Sequence, residues 1–71
     1  MRLYDLLDVI NSWDLVTIRM AYDQKLIIEE ESCVRALRTL TRYHDYIVQE
    51  VFTYPYRNIT SVITIIITEE D

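Results

Sequence analysis

Glycine is absent from this sequence of 71 residues, whereas an average protein contains about 7%. Loops that cradle phosphate groups, such as the P-loop and the dinucleotide-binding turn, need glycines so that the backbone can approach the phosphate closely. A nucleophile elbow needs them as well. The composition therefore excludes these kinds of site. It also predicts that tight hairpin turns place Asn or Asp at positive φ, or that the turns are longer.

Cysteine, proline and histidine each occur once, as Cys33, Pro55 and His44. A lone cysteine cannot form an intramolecular disulfide, so a reducing cytoplasm is the expected location and Cys33 is expected to be a small buried hydrophobic residue. Zinc sites take several His or Cys ligands. A general base needs an orienting group and a nucleophile within reach, which His44 and its neighbour Asp45 rarely provide from one loop. We expect no enzyme, no metal and no cofactor, with His44 as a solvated connector residue.

Basic residues are few: 7 Lys and Arg stand against 12 Asp and Glu, for a net charge of −5. Phosphate contacts need a positive surface, so direct binding of nucleic acid is not expected. An acidic surface suits solubility or a basic partner. The densest acidic points are two short runs, Glu29-Glu30-Glu31 and Glu69-Glu70-Asp71.

Long apolar runs are also missing, since aliphatic runs such as Ile65 to Ile67 do not exceed three residues, and no membrane span is expected. Asp5 and Asp8 stand where a signal peptide would be uncharged, which argues against one. Hydrophobic residues nevertheless make up 51% of the chain, which is typical of a globular protein. We expect a single domain over residues 1–71, with a marginal core that a partner or a second copy would supplement.

The periodicity of apolar residues predicts a helix followed by a hairpin. Leu3, Leu6, Leu7 and Ile10 lie on one face of a helix over residues 2–11. From Asp14 to Tyr22 the period changes to two, which is typical of a half-buried strand. Residues 23–25 make a turn, and Leu26 to Ile28 returns as the second strand.

A second helix is predicted to open at Glu29-Glu30-Glu31-Ser32, with carboxylates at its positive end. Its inward face is Cys33 or Val34, then Leu37 and Leu40. Arg35, Arg38 and Arg42 would form one basic stripe, interpreted as a solvated face or, alternatively, as a site for an anion or an acidic partner. Glu31 lies four residues before Arg35, in the orientation that favours an ion pair.

Two further strands complete the predicted fold. The third runs from Tyr46 to Thr53 with apolar residues on both faces, so it should be central or covered on both sides, and Pro55 should end it. The fourth, Ile59 to Thr68, is very rich in β-branched residues. The order is α-β-β-α-β-β. We expect an α+β fold with an antiparallel four-stranded sheet and two helices.

Tyrosines dominate the second half of the chain. Tyr54, Tyr56 and Arg57 flank Pro55 in what should be an exposed hairpin tip, and tyrosine and arginine are enriched at binding hot spots. Alternatively, the tyrosine rings cover the edge of the core with their hydroxyl groups in water. The interleaved basic residues that a nucleic-acid stacking groove needs are missing.

The run RLYDLLDVINSWDLVTIRM, residues 2–20, resembles the start of small proteins carried by bacteriophages and prophages, in which a short helix leads directly into a strand. Anti-CRISPR proteins include members of this kind. The resemblance implies a tiny acidic α+β protein without catalytic residues that occupies the target-recognition surface of a defence nuclease in the cytoplasm of a bacterial host.

Two hypotheses of function follow. The first is a phage-type inhibitor or adaptor whose carboxylates stand in for phosphates on a basic host protein, such as a CRISPR-associated or other defence nuclease. Its partner-binding residues would be Tyr54, Tyr56, Arg57, Glu29, Glu30, Glu31, Glu69, Glu70 and Asp71. The second is a structural or self-associating domain. If the unprotected strand Ile59 to Thr68 lies at a sheet edge, two copies would pair edge to edge through it as a homodimer.

Overall fold

The protein is described by a computed structural model over residues 1–56 and 60–69. Its elements are α1 (Leu3–Val9), β1 (Leu15–Met20), β2 (Leu26–Ser32), α2 (Cys33–Thr39), a 3-10 turn (Thr41–Tyr43), β3 (Ile47–Tyr56) and β4 (Thr60–Thr68). The predicted order of helices and strands and the α+β fold are both confirmed.

The four strands form one sheet in the order β2-β1-β4-β3. The pairs β1–β2 and β3–β4 are antiparallel hairpin pairs, as predicted, whereas β1 and β4 are parallel. The sheet is therefore mixed. The parallel pair arises because α2 carries the chain across the sheet, so that the second hairpin docks through β4 rather than through β3.

Strand β4 occupies the centre of the sheet, and Val62, Ile65 and Ile67 on it are fully buried. The most β-branched segment of the chain thus takes the position where both faces and both edges are covered. Pairing of two copies through an exposed edge of this strand, which the sequence suggested, is ruled out by that position.

Strand β3 lies at an edge, so the prediction that it is central or covered on both sides is wrong. Its exposed side chains include Val51 (45%) and Phe52 (46%). The strand also continues through Pro55 to Tyr56 instead of ending before it. An edge strand tolerates proline because the missing N–H can face away from the ladder.

Strand β2 is longer than predicted, and it takes up the run Glu29-Glu30-Glu31 that was expected to open the second helix. Strand β2 pairs with β1 as far as Leu15–Ser32, and the pairing contains two register shifts. At one of them Glu30 adopts φ 49 and its N–H donates to Thr17 Oγ1 at 3.1 Å. Pairing with β1 therefore delays the start of α2 to Cys33, and the first turn of that helix carries no acidic residue.

Both helices pack on one face of the sheet around a single buried cluster. Its members are Leu3 and Leu7 from α1, Cys33 and Ala36 from α2, Val16 and Ile18 from β1, and Ile65 and Ile67 from β4. The predicted inward positions Leu37 and Leu40 are half-buried against this cluster. None of the helices in residues 1–56 and 60–69 is long and apolar enough to cross a membrane.

Candidate functional site

A groove of about 500 Å³ lies where the β1–β2 turn, the end of β4 and the connector between α2 and β3 meet. Its volume is within the range of sites that hold small ligands or anchor side chains. It is lined by Met20, Tyr22, Asp23, Lys25, Ile27, Tyr43, Tyr46, Thr68 and Glu69. We refer to these nine residues as the tyrosine groove.

The β1–β2 turn forms one wall of the tyrosine groove without any glycine. The Ala21 N–H donates to the carbonyl oxygen of Ile67 at 2.8 Å, which ties the turn to β4. Gln24 adopts φ 61, and the Lys25 N–H donates to Asp23 Oδ1 at 2.9 Å. The sequence favoured Asn or Asp at positive φ, or a longer turn. The structure uses a longer turn with Gln24 at the positive φ.

Tyr43 and Tyr46 form the opposite wall. Their ring centroids are 5.1 Å apart and the ring planes meet at 79°, an edge-to-face arrangement that aromatic pairs favour. The Tyr46 N–H donates to the Tyr43 carbonyl at 3.0 Å, and the Tyr46 carbonyl accepts from the Leu3 N–H at 2.8 Å. Both rings are half-buried against the core. This wall is therefore held by backbone hydrogen bonds as well as by packing.

Charges on the rim of the tyrosine groove are predominantly negative. Asp23 and Glu69 face one ammonium group, that of Lys25, and all three residues are exposed. Within the described part of the chain, the one salt bridge joins Arg35 Nε to Glu31 Oε2 at 3.3 Å. Lys25 therefore does not neutralise either carboxylate of the groove by direct contact.

The residues predicted to bind a partner do not form one surface. Glu69 lines the tyrosine groove, whereas Glu29, Glu30 and Glu31 lie on β2, one edge of the sheet. Tyr54 and Tyr56 belong to β3, the opposite edge. Arg57, Glu70 and Asp71 lie outside the described residues.

Sequence reasoning missed most of the tyrosine groove. Tyr22 was expected at the end of the half-buried strand from Asp14 to Tyr22, yet it lies in the turn after β1 and its side chain is 91% exposed. Tyr43 and Tyr46 bracket His44 and Asp45 in the tyrosine-rich stretch 43–56, which the sequence left open as a core edge or a binding face. Their spacing of three residues was the available signal. Only the docking of β4 beside them makes a groove.

His44 is not the solvated connector residue that was expected. It is half-buried, its Nε2 lies 3.2 Å from the Leu37 carbonyl oxygen, and its ring centroid is 5.1 Å from that of Tyr4. These contacts link α1, α2 and the connector. The histidine thus has a structural position and does not line the tyrosine groove.

The predicted arginine stripe is interrupted. Arg35 and Arg38 are exposed on α2, which ends at Thr39, and Arg42 lies in the following 3-10 turn. The predicted ion pair between Arg35 and Glu31 is confirmed. Arg42 instead places its guanidinium carbon 5.3 Å from the ring centroid of Tyr43, a cation–π contact.

Comparison of the chain with known protein families, curated proteins and solved structures finds no match. Over residues 1–56 and 60–69, no group of three or more His, Cys, Asp or Glu side chains could hold a metal ion. The function is therefore inferred from the tyrosine groove and from the distribution of charge.

Proposed function

We propose that the protein is a small acidic protein-binding module whose partner presents a basic surface. The observation that carries this proposal is the tyrosine groove, which combines an apolar floor of Met20 and Ile27, tyrosine walls and a rim with excess carboxylate. Tyrosine buries a large area at low entropic cost and still offers a hydrogen bond, so it is common at binding hot spots.

The charge distribution supports a basic partner. Glu29 on β2 is exposed, as are Asp23 and Glu69 on the groove rim, and the whole chain carries a net charge of −5. Surface charge of one sign steers an oppositely charged partner and raises the association rate, an effect that salt screens. Carboxylates spaced over such a surface can occupy the basic positions where a nuclease holds phosphates.

The more specific form of the proposal is a phage-type inhibitor, similar in kind to anti-CRISPR proteins, that binds a host defence nuclease and blocks its target-recognition surface. Inhibition would be steric. The protein would cover lysine and arginine side chains that the nuclease needs for nucleic acid, without modifying them. The resemblance of residues 2–20 and the acidic surface support this form.

Affinity capture tests the proposal. The tagged protein is incubated at low and at high salt with bacterial lysates that express candidate defence nucleases, and captured proteins are identified by mass spectrometry. We expect a specific partner that is retained at low salt and weakened at high salt. With the purified complex, an association rate that does not change with ionic strength would contradict the role of charge.

Matched variants separate local from net charge. Asp23→Asn with Glu69→Gln removes two carboxylates from the tyrosine groove, whereas Asp8→Asn with Glu50→Gln removes two exposed carboxylates on α1 and β3. Both variants have the same net charge. Both variants should associate more slowly with a basic partner, because their net charge is less negative. We expect the groove variant to slow association more than the control variant does.

Self-association is a second candidate function, supported by the exposed Val51 and Phe52 on the edge strand β3. Unpaired edge strands are templates for pairing with another chain. The pairing would run through β3, because β4 is central. Light scattering on a sizing column across concentrations would show a dimer, and a monomer at every concentration would exclude it.

A charge on the edge strand provides the control for this second candidate. Val51→Lys should convert a β3-paired dimer to a monomer, because lysine on an edge opposes strand addition. Val9→Lys, on α1 at a side chain that is 75% exposed, introduces the same charge away from the edge and should leave the dimer intact.

A further inference from the structure

We propose that the tyrosine groove binds a cationic side chain, the guanidinium of arginine or the ammonium of lysine, between its tyrosine rings and its carboxylates. This inference rests on the proposed function, since the cation would be the part of the partner that enters the groove. It also goes further, because it assigns one chemical group to one site.

The first argument is the arrangement of the rings. Tyr43 and Tyr46 meet nearly at right angles, so they line two sides of a corner instead of presenting one flat platform. The face of an aromatic ring attracts a cation within about 6 Å of the centroid. Arg42 makes such a contact with Tyr43 at 5.3 Å, so one face of the Tyr43 ring is already covered by a guanidinium of the chain itself, and an incoming cation would use the remaining ring surfaces. Tyr22 supplies a third ring from the opposite wall.

The second argument is the sign of the charge on the rim. Two carboxylates, Asp23 and Glu69, stand against the single ammonium of Lys25, so the rim favours a cation over an anion. The Asp23 Oδ1 accepts the Lys25 N–H within the turn, which holds this carboxylate in place at the groove. A bound anion would face both carboxylates and the negative faces of the rings.

The third argument is the floor. Met20 and Ile27 are half-buried and line the groove. Arginine and lysine carry long apolar stems below their charged heads, and such stems pack on apolar surface while the head stays with polar groups. The floor therefore accepts the stem and the rings and carboxylates accept the head. Methionine adapts its shape to irregular neighbours, which suits a floor that receives an incoming chain.

The charge of Lys25 allows binding of a cation in the groove to be distinguished from general attraction of a cation to the acidic surface. Its ammonium is the one positive charge among the described residues that line the groove, and it opposes an incoming cation. Arg42, over the Tyr43 ring, and Arg19, bound to the Gln24 carbonyl oxygen, do not line the groove. Replacing Lys25 with an uncharged residue of similar length, Lys25→Gln, should tighten binding of a cationic probe by about threefold at low ionic strength, since surface charge interactions are of this order.

The experiment is an NMR titration of the labelled protein with three capped tripeptides, Gly-Arg-Gly, Gly-Lys-Gly and Gly-citrulline-Gly. Citrulline has nearly the shape of arginine without its charge. We expect saturable shifts at Met20, Tyr43 and Tyr46 with the arginine peptide and no saturation with citrulline. The lysine peptide decides which cation the groove prefers.

Variants locate the site. Asp23→Asn with Glu69→Gln should weaken binding of the arginine peptide by about fivefold to tenfold, which corresponds to the loss of one or two surface charge interactions. Asn preserves the oxygen that accepts the Lys25 N–H.

Tyr43→Leu should weaken binding of the same peptide by about fivefold. Because Tyr43 also packs on the core, Tyr22→Ala provides a second test at a side chain that is 91% exposed. Phe52→Leu and Asp8→Asn are the controls and should change nothing.

Equal shifts with citrulline and arginine, or shifts that map to the edge of β2, would overturn the inference. Its failure is separate from that of the proposed function. A partner that is captured in a salt-sensitive manner and still binds the Asp23→Asn, Glu69→Gln variant at full strength would leave the protein-binding function standing and remove the groove from it.

Discussion

The Sγ of Cys33 lies 3.2 Å from the carbonyl oxygen of Leu7, so the thiol at the first residue of α2 donates to α1. Both residues are fully buried. The backbone N–H of Cys33 donates in turn to the Asp14 carbonyl oxygen at 2.8 Å, just before β1. The predicted buried cysteine is confirmed, and it joins the two helices and the sheet at one point.

Removing this thiol should destabilise the protein. For Cys33→Ala we expect a loss of about 1–2 kcal/mol in the free energy of unfolding, from the small cavity and the lost hydrogen bond to Leu7. Urea unfolding followed by circular dichroism measures it. Ser12→Ala changes an exposed side chain nearby and should have little effect. Equal stability of the Cys33→Ala protein and the parent would show that the thiol contact adds nothing.

The same site makes stability depend on pH in the alkaline range. Burial raises the pKa of the Cys33 thiol above its ordinary value of 9.0, and the Asp14 carboxylate adds to this in the same direction. The folded protein thus holds the proton more tightly than the unfolded chain. The resulting stabilisation is complete below pH 9 and is lost as pH rises toward the folded pKa.

Comparison with Cys33→Ala isolates this contribution, because the two proteins share every other titratable group. We expect the difference in urea midpoint between parent and variant to shrink from pH 8 to pH 10. Alkylation of the native thiol should also be much slower than in urea at pH 8. A thiol that reacts equally fast in the native and the unfolded protein would contradict its burial.

Ile65, in the central strand β4, is a position where truncation of the side chain should cause a large loss of stability. Its side chain is fully buried in the core cluster, and truncation of buried isoleucine to alanine typically costs about 2–5 kcal/mol. A small domain has about 5 kcal/mol in total. Ile65→Ala should therefore leave the chain largely unfolded by circular dichroism, whereas Val51→Ala on the exposed edge strand should cost well under half as much. Similar losses at both positions would contradict the assignment of centre and edge.

His44 should contribute through its contacts and not through chemistry. His44→Ala removes the hydrogen bond to the Leu37 carbonyl and the packing against Tyr4, and we expect a loss of about 1–2 kcal/mol. Thermal unfolding at pH 8 measures this loss. Partner binding by the folded variant should be unchanged, since the histidine does not line the tyrosine groove. Loss of binding at full stability would place His44 in the site.

Gln24 holds a backbone conformation that glycine adopts at lower cost. Its φ of 61 lies in the left-handed region, which costs a residue with a Cβ roughly 1 kcal/mol. Gln24→Gly should therefore stabilise the protein by about 0.5 kcal/mol after the larger entropy of unfolded glycine is subtracted. Gln24→Ala, which keeps the Cβ, should not stabilise. A rise in thermal midpoint for alanine as large as that for glycine would show that φ is not the cause.

Elements with a clear period were predicted well. The spacing of Leu3, Leu7 and their neighbours indicates α1, and the alternation through Val16 and Ile18 indicates β1, because each pattern places its apolar residues on one face. The run Glu29 to Glu31 was misassigned because its carboxylates suit a helix start. Pairing with β1 prevailed over that local preference, and a positive φ at Glu30 absorbed the extra residue.

The candidate site was predicted less well than the fold. Of the groove residues, only Glu69 was expected to bind a partner. Tyr22, Tyr43 and Tyr46 come from separate elements, and periodicity describes one element at a time. The prediction grouped residues that are dense along the chain, whereas the structure divides Glu29 from Tyr54 between opposite edges of the sheet.

By itself, the sequence determined the order of elements, the buried cysteine and the acidic surface. Periodicity, residue polarity and charge are properties of each local segment and do not depend on how the segments pack. Only the tertiary structure decided that β4 lies between β1 and β3, that β1 and β4 run parallel, and that three tyrosines share a groove. These outcomes depend on which apolar faces meet. Burying the most β-branched strand at the centre removes the most apolar surface from water, and the end of that strand then brings Glu69 to the tyrosines.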